Sequence, residues 1–319
     1  MSLPALAATL GERVLVEMLD IDGRLHALVV RGRRVTHRIV GEIDAVRAEL
    51  ESLRFALHNQ VLGHAAGGER LERRAEVLDR LLLGPLADLL GDGPLVLVPT
   101  GALHALPWGM LPRLRGRSLT VAPSATIWLR CATSSTVDGK LVLVGAHSAE
   151  QAADEVREIA ADRPGATVLA GEQARVDRAL TALDGAAIGH IASHGEFRVD
   201  NPLFSFLMLA DGPLTVYDLT ALRCPPGLLV LSGCDTGLAA VHPGDELMGL
   251  VAALLNMGTA TVIASTGPVD DGATRHLMRS FYGHLATGLG PAAALAAAQA
   301  SADPRDRAST DSFVCFGAG

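Results

Sequence analysis

Aromatic side chains make up only 3% of this 319-residue chain, with two tryptophans and two tyrosines, so any core must be built from Leu, Val, Ile and Ala. Basic runs are equally scarce: the densest is Arg31-Gly32-Arg33-Arg34, and the net charge is −8. That balance excludes a phosphate-backbone partner, and no nucleic acid is expected. The four cysteines, Cys131, Cys224, Cys234 and Cys315, show neither the spacing of a zinc knuckle nor that of a dithiol redox motif. A reducing, cytoplasmic setting fits them. Leu3-Pro4-Ala5-Leu6-Ala7-Ala8 lacks the basic residues and apolar length of a secretion signal. The Gly-rich stretches near Gly91 and Gly227 lack the Lys-Ser/Thr ending of a phosphate-binding loop, so no cofactor is implied.

One uncharged segment, Leu247 to Val269, is long enough to span a membrane. Its texture divides it into a Leu/Ala-rich helix, an Asn256-Met257-Gly258 cap and a β-branched strand, so no membrane span is expected. Hydrophobic residues amount to 49% and charged residues to 19%, the composition of a chain with a large core rather than a disordered one.

What is present reads as α/β. Arg13 to Asp20 and Leu25 to Val30 form a hairpin across Asp22-Gly23. Two amphipathic helices, Glu42 to His64 and Glu69 to Leu90, lead to a buried strand at Leu95 to Pro99. After a Thr/Ser-rich linker at Thr133 to Thr136, strands alternate with helices to the end, which predicts a mostly parallel sheet flanked by helices. The expected organisation is an accessory subdomain over residues 1–135 and a second subdomain over 136–319.

Two words carry the chemistry. Ser193-His194-Gly195-Glu196 follows the apolar run Ala186-Ala187-Ile188, and Ser232-Gly233-Cys234-Asp235 follows Leu228-Leu229-Val230-Leu231. Each puts a reactive side chain at the carboxyl end of a buried strand, where open α/β sheets keep their sites. Taken singly, Cys234 also reads as a buried structural thiol and His194 as a satisfied imidazole. Taken together they form a Cys-His dyad, with the N–H groups of Gly195 and Cys234 as an oxyanion hole. His190, on the same strand face as His194, has no third ligand to suggest a metal, so none is expected; it reads as a hydrogen-bond partner positioning the active-site backbone. Trp108 and Trp128 read as packing residues.

The His194 word resembles the caspase histidine word, and Ser232-Gly233-Cys234-Asp235-Thr236-Gly237 resembles the cysteine word of the bacterial CHAT family, related to separase and caspases. Further words follow that family in order: Leu95 to Pro99, Pro202-Leu203-Phe204-Ser205, Gly244-Asp245-Glu246, Pro268-Val269-Asp270-Asp271 and Phe313-Val314-Cys315-Phe316-Gly317. The resemblance implies a caspase-like fold whose first part is an accessory, degenerate caspase-like subdomain. It also implies a cysteine endopeptidase of a regulated bacterial signalling or defence system, with Cys234 as nucleophile and His194 as general acid/base. Asp271 or Asp270 would then read a basic P1 residue of a protein substrate, the alternative for both being a helix N-cap; Asp235 and Glu246 read equally as further pocket acids and as helix-capping or cleft-rim residues. A tryptophan common before the Pro-Val-Asp-Asp word is replaced here by Ser265-Thr266-Gly267. Two alternatives stand beside the active protease: a catalytically silent interaction scaffold, and a latent protease that needs an activating partner or sensor protein to align the dyad.

Overall fold

The computed structural model describes residues 2–61, 67–134, 139–146, 150–196, 201–233 and 245–319. A short helix α1 (Leu3–Leu10) leads into the antiparallel strands β1 (Val14–Ile21) and β2 (Arg24–Arg31). Asp22 and Gly23 at their turn have φ of 52° and 80°, the left-handed pair that an Asp-Gly hairpin requires. A third strand, β3 (Arg34–Glu42), completes a meander that sequence reading missed. The reason is physical: β3 buries only Val40, so it carries no apolar alternation to read.

Helices α2 (Ile43–Val61) and α3 (Gly67–Leu82) come after the meander. The helix expected to run on to Leu90 instead breaks at Gly84-Pro85, where proline lacks the N–H of a helix interior, and resumes as one turn, α4 (Ala87–Leu90). Strands β4 (Leu95–Val98) and β5 (Leu119–Val121) are parallel to each other, and α5 (Ala125–Ala132) is capped by the Ser124 hydroxyl, which accepts from Ile127 N–H.

The regular alternation occupies the next segment: β6 (Leu141–Ala146), α6 (Glu150–Ala161), β7 (Thr167–Gly171), α7 (Val176–Leu183) and β8 (Ile188–Ala192). Three short strands, β9 (Gly195–Glu196), β10 (Phe206–Leu209) and β11 (Gly212–Thr215), form a small separate sheet ahead of α8 (Val216–Leu219). The chain then runs through β12 (Leu228–Ser232), α9 (Asp245–Met257), β13 (Thr261–Ser265), α10 (Asp271–Ala286), α11 (Pro291–Ala300), α12 (Arg307–Thr310) and β14 (Phe313–Gly317).

Among the described residues the main sheet has the order β3-β2-β1-β4-β5-β14-β13-β12-β8-β6-β7 and is mostly parallel. Every residue of β12, β13 and β14 is buried, as expected of strands covered on both faces. Strand β14 pairs antiparallel with β13 on one side and sets Phe316 beside Val121 of β5 on the other, so one sheet runs through both halves of the chain. Trp108 and Trp128 are fully buried packing residues. No helix among the described residues is long and apolar enough to cross a membrane.

Asp311, just before β14, is 5% exposed, and burial pushes its carboxyl up to about 7 against the pull of Arg115 and Arg307. The unfolded carboxyl ionises near its usual value of about 4, so between about pH 4 and 7 the folded state holds a proton that the unfolded state has lost. Stability therefore falls as pH rises through this window. Asp311→Asn is expected to flatten that decline and to be more stable than the parent at pH 8; urea midpoints for both proteins at pH 5 and pH 8 check this.

Candidate active site

Strands β8 and β12 are parallel neighbours in register from Ile188↔Leu228 to Ala192↔Ser232. Ser193 N–H extends the ladder by donating to the Ser232 carbonyl at 3.0 Å. At the next step the two exiting chains press together: a Cβ built on Gly233 would lie 1.9 Å from the Ser193 carbonyl oxygen. Only glycine fits there. Cys234 and Asp235, the nucleophile and one of the pocket acids expected from sequence, lie outside the described residues.

His194 is half-buried, and its backbone is pinned. Its carbonyl accepts from Met208 N–H at 2.8 Å and from the Ser193 hydroxyl at 2.9 Å, and the same hydroxyl lies 2.6 Å from the Met208 carbonyl. The Nδ1 of His194 is buried with no hydrogen-bond partner among the described residues. Gly195 faces Leu207 in an antiparallel pair flanked by the Met208–His194 bond, the geometry that turns its N–H away from β10. A Cβ on Gly195 would lie 3.0 Å from both Leu207 Cδ2 and the Phe206 carbonyl oxygen. The glycine thus admits the close approach of β10.

A small open cleft lies beside His194, lined by Glu155 of α6, Ser193 and His194, Ser232 and Gly233, and Asp271 and Thr274 of α10. The two adjacent aspartates part company here. Asp270 is exposed and caps α10, its carboxylate accepting from Ala273 N–H at 2.9 Å, while Asp271 enters the cleft wall. Burial pushes the Asp271 carboxyl up, the nearby His194 opposes that shift, and the charges of Asp270 and Glu155 reinforce it.

His190 is fully buried, and its partners are side chains rather than the active-site backbone. Its Nε2 lies 2.8 Å from Glu155 Oε1 and its Nδ1 lies 3.2 Å from the Tyr282 hydroxyl. Sequence reading missed Glu155. A signal existed: a lone acid on the face of α6 that buries Ala152, Val156 and Ile159. Gly267, where the family's tryptophan word departs, is buried against α2, and a Cβ there would lie 2.9 Å from Leu57 Cδ2.

The other thiols differ sharply in availability. Burial raises Cys131 and pushes Cys315 up to about 12, whereas Cys224 is exposed. Iodoacetamide on the native protein is expected to modify Cys224 and spare Cys131 and Cys315, as peptide mass mapping will show.

The chain is similar to separase in two crystal structures of the Saccharomyces cerevisiae separase–securin complex. Each has a TM-score of 0.71 and 10% identity, over 98% and 99% of this chain and 30% and 31% of that one. The chain thus spans less than a third of the separase chain, and at this identity the likeness is one of fold. The Arg specific cysteine proteinase gingipain R aligns at a TM-score of 0.48 and 10% identity over 85% of this chain and 75% of its own; a complex of Porphyromonas gingivalis RgpB pro- and mature domains aligns at 0.49. No curated protein matches by sequence. The CHAT domain matches residues 72–316, from α3 to the next-to-last strand residue of β14. With that match over most of its length, the chain belongs to the CHAT domain family.

Proposed function

We propose that this chain is a cysteine endopeptidase acting on another protein through Cys234 and His194. The observation that carries the reading is the register of β8 and β12. Ala192 and Ser232 are paired, and His194 and Cys234 each stand two residues further along the chain. Gly233 pressed on the Ser193 carbonyl supports the same convergence.

The Cys234 thiol gives its proton to His194, and the thiolate adds to the scissile carbonyl. The oxyanion is met by the N–H groups of Gly195 and Cys234. Collapse breaks the C–N bond, the imidazolium protonates the departing amine, and a thioester remains. Water, deprotonated by His194, then adds to the thioester and releases the acid and the free thiol. Asp271, and Asp235 beside the nucleophile, supply negative charge for a basic P1 residue. The separase structures are of a complex with securin, which supports a protein partner for this chain as well.

A peptidyl chloromethyl ketone with arginine at P1 tests the reading. Alkylation at Cys234 that disappears in Cys234→Ala is the expected result, with the exposed Cys224 monitored by peptide mapping. Labelling that persists in Cys234→Ala, or none at any concentration, would overturn it.

A further inference from the structure

The cleft beside His194 is supplied with hydrogen-bond acceptors that no other described residue uses. The hydroxyl oxygens of Ser232 and Thr274, both 3% exposed, are buried with no partner among the described residues, and both side chains line the cleft. Glu155 and Asp271 bring two carboxylates to the same walls, while no Lys or Arg among the described residues lines them. A buried carboxylate facing no cation is costly, so this set of acceptors calls for a ligand that is positive and rich in N–H groups.

Glu155 is also held unusually firmly. The Tyr282 hydroxyl, kept protonated by burial, donates to His190 Nδ1 at 3.2 Å. That bond leaves the ring proton on Nε2, which donates to Glu155 Oε1 at 2.8 Å. The chain of donors runs from α10 through β8 to α6, every member at least nine-tenths buried. It consumes one carboxylate oxygen of Glu155 and leaves the other uncommitted among the described residues. A guanidinium or amidinium group, a planar fork of donors with no acceptor, matches this set better than a compact ammonium.

We infer that Glu155, held by His190 and Tyr282, is a specificity-determining residue that binds the guanidinium of a substrate arginine together with Asp271, Ser232 and Thr274. The inference rests on the protease reading for its substrate, but the cleft's selectivity can be measured without turnover.

The experiment is calorimetric titration of the Cys234→Ala protein with benzamidine and with neutral benzamide. Benzamidine is expected to bind at least tenfold tighter than benzamide. Glu155→Gln, which still accepts from His190, is expected to weaken benzamidine about tenfold or more and to leave benzamide unchanged. Tyr282→Phe removes only the outermost donor and is expected to weaken benzamidine at least twofold, which serves as the readout should Glu155→Gln not fold. Equal binding of the two probes, or benzamidine affinity unmoved by these substitutions, would overturn the inference. A failure of the protease reading looks different: Cys234 then refuses the chloromethyl ketone while benzamidine still binds.

Discussion

Gly233→Ala is expected to destabilise the protein by about 3 kcal/mol or more, the range of severe core overpacking. The added Cβ would meet the Ser193 carbonyl oxygen at 1.9 Å, and this neighbour is backbone, which cannot rotate away. Ser193 is tied to β12 through its N–H and to β10 through its hydroxyl, so relief requires either parting β8 from β12 or redirecting the chain after Ser232. Both responses would also displace the next residue in the chain, so alkylation at Cys234 should be lost along with stability. Gly283→Ala is the control. That position lies within α10 with nothing within 4 Å of a Cβ, and alanine there should stabilise by about 0.5–1 kcal/mol through helix propensity alone. Urea unfolding of the two variants checks the contrast; a Gly233→Ala protein within about 1 kcal/mol of the parent, far below the overpacking range, would refute it.

His194→Ala is expected to lower kcat/KM on an arginine-P1 peptide by about 10³-fold or more, because the thiol then has no local base and the leaving amine no local acid. Since nucleophile and base act as a unit, Cys234→Ala and the double variant should fall to the same floor rather than multiply. The folded backbone around His194 is held by the main chain of β10 and the Ser193 hydroxyl, so the substitution should leave the urea midpoint nearly unchanged. Single-turnover assays of the three variants against the parent provide the measurement. A His194→Ala protein that retains a tenth of parental activity would sink the assignment.

Much of the fold is legible because it is encoded locally. Strand β12 is readable from Leu228 to Ser232, the hairpin turn follows from Asp22-Gly23, and the uncharged segment from Leu247 resolves as α9 and β13, each from signals within a short stretch of chain. Elements whose role depends on distant partners are less readable. Strand β3 lies half in solvent with no periodicity, and the break after α3 turns on a single proline.

The same division runs through the site. Sequence alone determined the α/β class, the two words around His194 and Cys234, and the carboxyl ends on which they sit, since strand hydrophobicity and the following glycine are local properties. Tertiary structure decided which of two adjacent aspartates caps α10 and which enters the cleft, because Asp270 keeps the extended backbone of an N-cap, with φ −82° and ψ 134°, while Asp271 opens the helix itself. It also decided that Glu155, His190 and Tyr282 meet, across separations of 35 and 92 residues. Contacts of that range leave no periodic trace in the chain; they exist only once the helices on either side of His190 have packed onto β8.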